Sequence, residues 1–148
     1  MINHMYIKFD AVSSNESLAR MTVAAFMMDM NPTLDEVQDV KTAVSEAVTN
    51  AIIHGYPVEQ VGEIKNEIEM SCVMEHTCLK ISIVDKGVGI EDIKAARQPF
   101  FTTKPEQERS GMGFAFMETF MDEVEVESTP GRGTKIMLTK YIERESER

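Results

Sequence analysis

Residues 3–10 alternate between apolar and polar side chains closely enough to predict a short strand, with Tyr6 or Ile7 facing inward. Ser13-x-x-Glu16 then has the form of a capping box, which predicts a helix running to about residue 30. Asn31-Pro32-Thr33 interrupts it and leaves Thr33 to cap a second helix over residues 34–54. In that second helix Val37, Val40, Val44, Ala47, Val48 and Ala51 recur at intervals of three and four and so share one stripe. Gly55-Tyr56-Pro57 stops it.

The pattern then changes from helical to alternating. Ile64, Asn66, Ile68, Met70, Cys72 and Met74 fall on one face of a strand, with Lys65, Glu67, Glu69 and Ser71 on the other. Beyond Glu75-His76-Thr77 the alternation resumes as Leu79, Ile81 and Ile83 against Lys80 and Ser82, which predicts an antiparallel hairpin with one wet face. Residues 85–110 read as loop with one helical turn near 91–96, and a short helix follows over about 112–121. Residues 124–128 and 134–142 form a last hairpin around Pro130-Gly131-Arg132-Gly133, and 143–148 is a charged tail. These elements predict a two-layer α/β (α+β) sandwich: a mixed, mainly antiparallel sheet with helices on one face.

Composition narrows the class. At 148 residues, 43% hydrophobic and 27% charged, the chain is expected to be a single domain spanning 1–148 with a core of its own. A formal charge of −10 without a basic patch argues against nucleic acid or an anionic membrane as partner. The longest purely apolar run, residues 23–28, is far short of the roughly 18 residues of a membrane span. The first residues lack the basic-then-apolar layout of a signal peptide, so a soluble cytoplasmic protein is expected. Cys72 and Cys78 flank the predicted turn as possible cross-strand neighbours with His76 between them. Three ligands crowded on one hairpin make a poor metal site, and reduced structural thiols are the better reading.

Four local features can carry chemistry. Glu46 and Asn50 lie one turn apart on the polar side of the second helix, where an amide oxygen can ligate Mg²⁺ and a carboxylate can take a proton. Any surface helix also carries such polar residues. Asp85-Lys-Gly87-Val-Gly89 follows a buried strand: the carboxylate can accept from an exocyclic amine, and the glycines let backbone approach a flat ring. Gly111-Met112-Gly113 opens a helix whose bare first-turn N–H groups suit phosphate oxygens. Gly131-Arg-Gly133-Thr134 on its own is no more than a hairpin turn.

Taken in order, Glu-x-x-x-Asn on a long helix, Asp-x-Gly-x-Gly after a strand, a loop, Gly-x-Gly at a helix start and Gly-Thr before the last strand resemble the Bergerat-type ATP-binding fold of gyrase B, histidine kinases and chaperone ATPases. The resemblance covers essentially the whole chain. It implies Glu46 as general base and Asn50 as Mg²⁺ ligand. It also implies Asp85 on the adenine amine, Gly87, Gly89, Gly111, Met112 and Gly113 around the nucleotide, and Thr134 beside the adenine. Phe100-Phe-Thr-Thr103-Lys104 through Ser110 would be a lid over the phosphates, with Thr103, Lys104 and Ser110 among the nucleotide-binding residues. Glu46-Ala-Val-Thr-Asn50-Ala-Ile-Ile-His54-Gly55 and the Pro99-Phe-Phe-Thr-Thr-Lys104 lid are similar to the bacterial anti-sigma serine kinases, the sporulation type above all. Such a protein holds a sigma factor (sigma-F type) inactive. With ATP and Mg²⁺ it also phosphorylates a small anti-anti-sigma protein on serine, leaving ADP.

A serine hydroxyl is a poor nucleophile that a positioned carboxylate helps, whereas a neutral imidazole attacks unaided. His4, His54 and His76 stand in no phosphoacceptor context. Two other functions stay open at this level: a nucleotide-gated sigma-binding protein without significant kinase activity, and a detached histidine-kinase-like catalytic domain. Finally, Met21-Thr-Val-Ala-Ala-Phe-Met-Met28 is apolar nearly all round. Such a helix is covered by core on two sides or forms an interface. An interface would make Arg20 an anchor for an acidic partner, and the resemblance points to a homodimer.

Overall fold

Five strands form one sheet in the computed structural model, which describes residues 2–56, 66–98 and 113–143. The strands are β1 (Ile2–Asp10), β2 (Glu67–Glu75), β3 (Cys78–Asp85), β4 (Glu123–Thr129) and β5 (Gly133–Tyr141), in spatial order β1-β2-β3-β5-β4. Every neighbouring pair is antiparallel, so the expected mainly antiparallel sheet is antiparallel throughout its described strands. The helices are α1 (Asn15–Phe26), α2 (Leu34–Asn50), α3 (Ile93–Ala96) and α4 (Gly113–Phe120).

Strict alternation decides which sheet face is covered. Ile68, Met70, Cys72 and Met74 of β2, Leu79, Ile81 and Ile83 of β3, and Ile136 and Leu138 of β5 are buried against one layer of helices. The stripe of α2 meets them with Val40, Val44, Ala47 and Val48 fully buried, flanked by Ala19, Val23 and Met27 from the α1 side and Met117 from α4. Inward on β1 point Ile7 and Phe9, while Tyr6 faces out. Lys140 ties three elements from β5: its Nζ donates to Phe120 O at the end of α4 (2.6 Å) and pairs with Asp39 on α2 (3.3 Å).

Two helix starts share the same Ser/Thr-x-x-Glu pattern and behave differently. At α2 the box forms: Thr33 Oγ1 accepts from Glu36 N at 3.1 Å, and Glu36 Oε1 accepts from Thr33 N at 2.8 Å. At α1 the expected Ser13 box does not form. Ser14 occupies the cap position in helical geometry without a side-chain cap bond, and the Glu16 carboxylate instead accepts from Arg20 at 3.0 Å. A cap needs extended backbone to aim its oxygen at the first turn.

The hairpin ladder runs to Glu75↔Cys78, so the turn is His76-Thr77, with His76 at φ 56°. Cys72 consequently pairs with Ile81 rather than with Cys78, and the two thiols lie on opposite faces. Burial pushes the Cys72 thiol up to about 12, which keeps it protonated. On α1 only one stripe is buried, while Leu18, Met21 and the following Met28 are about half exposed (49%, 56% and 50%). Of the two readings of this segment, a helix covered by core on two sides is therefore not the one observed.

Candidate functional site

Helix α2 delivers two of the candidate groups. Glu46 and Asn50, one turn apart and both half-buried, flank the buried stripe near its C-terminal end. Beyond Asn50 the predicted helix continues, but as a π-helical turn over Ala51–Gly55. Such widened turns re-aim the chain at a helix end. This one sets Gly55 against the end of β3: a Cβ there would lie 2.8 Å from Cγ and Oδ1 of Asp85.

Asp85 ends the inward face of β3 and is 5% exposed. Its Oδ1 accepts from Gly87 N at 3.0 Å. Burial raises its pKa to about 6 against the lowering effect of backbone N–H groups of Gly87 and Thr134. A buried carboxylate at the end of an otherwise apolar sheet face is costly, and groups placed so commonly serve a ligand.

The loop after Asp85 is laced on both sides. Val88 N donates to Gly55 O at 2.9 Å, and Val88 O accepts from Gly131 N at 2.7 Å. Tyr56, buried, donates from its hydroxyl to Glu67 O (2.7 Å) and accepts from Lys86 N (2.6 Å), joining the start of β2 to the residue after Asp85. The two glycines assigned to this loop are needed for the chain itself. A Cβ on Gly87 would fall 1.7 Å from Gly55 O, and Gly89, at φ +77°, would meet Thr129 O at 2.3 Å.

Across the sheet, Thr134 pairs with Asp85 on one side and with Ser128 on the other, so the three form a polar row over β3, β5 and β4. Thr134 is 6% exposed. Gly113 opens α4, which packs on α2 and buries Phe114 and Met117. Arg97, just after α3, donates from Nε to Glu118 of α4 at 2.8 Å. The structure therefore brings Glu46, Asn50, Asp85, Gly87, Gly89 and Thr134 to neighbouring elements. Thr103, Lys104, Ser110, Gly111, Met112 and the whole expected lid lie outside the described residues. Arg20 stands apart on α1, ion-paired with Glu16.

Gly55, Tyr56 and Ser128 were missed as site residues. Gly55-Tyr56 reads in sequence as a helix stop, and Ser128 as one polar position in an alternating strand. An acceptor carboxylate, a facing hydroxyl and close-packed backbone suit an amine-bearing flat base. A single carboxamide oxygen beside a carboxylate suits Mg²⁺, which takes few protein ligands and leaves the rest to phosphates and water.

Residues 10–140 match the family described as histidine kinase-like ATPase domain. The anti-sigma F factor of Bacillus thuringiensis (strain Al Hakam) is 54% identical over 142 residues, 96% of this chain and 94% of that protein. The same figures hold for the anti-sigma F factors of Bacillus mycoides (strain KBAB4) and Bacillus anthracis (strain A0248). Among solved structures, the RsbU and RsbW domains of Rv1364c from Mycobacterium tuberculosis superimpose with a TM-score of 0.68 at 18% identity, covering 96% of this chain and 33% of that one. That likeness concerns the fold.

Proposed function

The chain belongs to the histidine kinase-like ATPase domain family and, within it, to the anti-sigma F factors, and from that membership we propose that it holds an F-type sigma factor inactive and phosphorylates a small anti-anti-sigma protein on serine. The observation that carries the kinase half is the convergence of the buried Asp85 with the end of the helix that bears Glu46 and Asn50. ATP use follows from the family; serine as acceptor, Mg²⁺, a homodimer and a cytoplasmic setting are parts of the proposal.

Each side chain has one task. Asp85 accepts from the exocyclic amine of the base, with Thr134 beside it. Asn50 supplies its amide oxygen to Mg²⁺, and Glu46 takes the proton from the attacking hydroxyl. Bound Mg-ATP supplies the phosphoryl group and neutralises its charge, so the chain's own contribution is to position and to accept a proton. Half-exposed Leu18, Met21 and Met28 around the helix that carries Arg20 support a protein-binding surface there. Among the described residues no helix is long and apolar enough to cross a membrane.

The test is incubation with Mg-ATP and the serine-bearing partner. Acid-stable phosphate on that partner is expected. Sigma-factor binding with no transfer would support the purely binding alternative, and acid-labile phosphate would indicate a histidine-kinase-like domain.

A further inference from the structure

Ser128 makes more contacts than its single hydroxyl proton can donate to. Its Oγ lies 2.7 Å from Ile90 N, 3.0 Å from Gly133 O and 2.8 Å from Thr134 Oγ1. A serine hydroxyl has one proton and two lone pairs. Ile90 N–H is a donor and takes one lone pair. Gly133 O is only an acceptor, so the Ser128 proton goes to it. The remaining Ser128 lone pair must then receive the Thr134 proton. With all three bonds made, Thr134 keeps only lone pairs for its other side, the side on which Asp85 lies across the β3–β5 pair. Asp85, when ionised, is likewise an acceptor. Among the described residues, the end of the sheet thus presents two acceptors next to each other and no side-chain donor between them.

We propose that Ser128 is a positioning residue that fixes Thr134 as a hydrogen-bond acceptor, so that the pocket selects a purine with a 6-amino group over one with a 6-oxo group. The inference rests on the reading of this pocket as an adenine-nucleotide site. A 6-amino group brings two protons to two acceptors, whereas a 6-oxo group brings lone pairs to the same place. A buried polar contact left unpaired in that way discriminates more strongly than a change of shape. Ser128 also holds Ile90 N and so anchors the far end of the 87–90 loop to the same row. One side chain fixes both the loop and the direction of the Thr134 proton.

The experiment is calorimetric affinity for ATP and for ITP, without partner or turnover, on wild type, Ser128→Ala, Ser128→Thr and Thr134→Val. In Ser128→Ala the Thr134 hydroxyl is free to turn and donate to a 6-oxo group, so the ATP:ITP preference should shrink by roughly three- to tenfold, the worth of one neutral hydrogen bond. Ser128→Thr keeps the hydroxyl at a strand position that suits a β-branched residue and should restore the preference. A folded Ser128→Ala protein with an unchanged preference would overturn the proposal, as would Ser128→Thr failing as badly as Ser128→Ala. If Ser128→Ala does not fold, Thr134→Val carries the test: its preference should shrink, and an unaltered one overturns the inference. A wild type that binds ATP and ITP equally would remove the adenine reading itself, and this inference with it. Discrimination by wild type together with an unmoved Ser128→Ala removes only the inference.

Discussion

Gly55 and Asp85 are packed so closely that a single methyl group on the glycine would sit 2.8 Å from the carboxylate oxygen Oδ1. Gly55 ends the segment that continues from Asn50, and Asp85 ends β3, so this contact joins the proposed Mg²⁺ helix to the proposed base contact. Gly55→Ala should therefore push Asp85 out of place and weaken ATP binding at least tenfold, with an overpacking cost of about 1–3 kcal/mol. Tyr56→Phe should act on the same contact more mildly, because it removes the bonds to Glu67 O and Lys86 N while keeping the ring. Calorimetry and thermal melts on both variants check this; a Gly55→Ala protein with wild-type affinity would separate the two elements.

Asp85 gives the protein two opposite pH dependences. Burial raises its folded pKa to about 6 from the ordinary 3.8 of an aspartate, so between those values the folded state holds a proton that the unfolded chain has lost. The stability it contributes is therefore fully present below the lower value and is lost as pH rises through the upper one. Nucleotide binding runs the other way, since the amine needs an ionised acceptor, and affinity should climb with pH through about 6. Asp85→Asn should weaken ATP binding strongly and flatten both slopes. Titration of ATP itself cancels in the wild-type-to-variant comparison. Parallel slopes in the two proteins would dismiss Asp85 as the titrating group.

Glu46 and Asn50 should separate transfer from binding. Glu46→Gln is expected to cost on the order of 10²–10⁴ in single-turnover phosphorylation with Mg-ATP still bound, the usual range for a lost general base. Asn50→Ala should lower Mg-ATP affinity and transfer together, since Mg²⁺ loses its protein ligand. Near-normal transfer by Glu46→Gln, or an ATP loss as deep as that of Asn50→Ala, would sink the division of roles.

Arg20, 38% exposed, pairs with Glu16 one turn away, whose carboxylate is only 12% exposed, so truncating Arg20 leaves a largely buried charge without its guanidinium. Arg20→Ala should consequently lower the melting temperature while leaving ATP affinity nearly unchanged and weakening binding of a protein partner. Glu16→Gln frees the guanidinium and should not imitate it. Equal loss of partner and nucleotide binding in Arg20→Ala would make α1 a structural element only.

Most of the fold was legible because its strands alternate strictly. Ile68, Met70, Cys72 and Met74 fall on one face in the sequence, and they are the residues buried on β2. Helix ends were less legible. Ser13-x-x-Glu16 and Thr33-x-x-Glu36 are the same local signature, and what separates them is the backbone: Thr33 is extended at its cap, whereas Ser14 takes the cap of α1 in helical geometry and Glu16 turns to Arg20. The candidate site divides likewise. Asp85 stands out as an acidic residue after a buried strand. Gly55, Tyr56 and Ser128 act through contacts with elements distant in the chain, and no local pattern marks such contacts.

The pairing of β3 with β5 has a consequence for synthesis. Asp85 and Thr134 meet only across that pair, and β5 follows every other strand in the chain. A growing polypeptide on the ribosome, with β1 to β4 already outside the exit tunnel, has Asp85 paired only with Ile68 of β2 and still has an unpaired edge on the other side of β3. Closing a long loop to make that pair is an inherently slow step. In the proposed site a nucleotide held by Asp85 and Thr134 would bridge the two strands, so its free energy of binding would add directly to the last step of folding, by about 2.7 kcal/mol when it is present at a hundred times its dissociation constant. Newly made chains should pass from protease-sensitive to protease-resistant at the moment they first hold nucleotide.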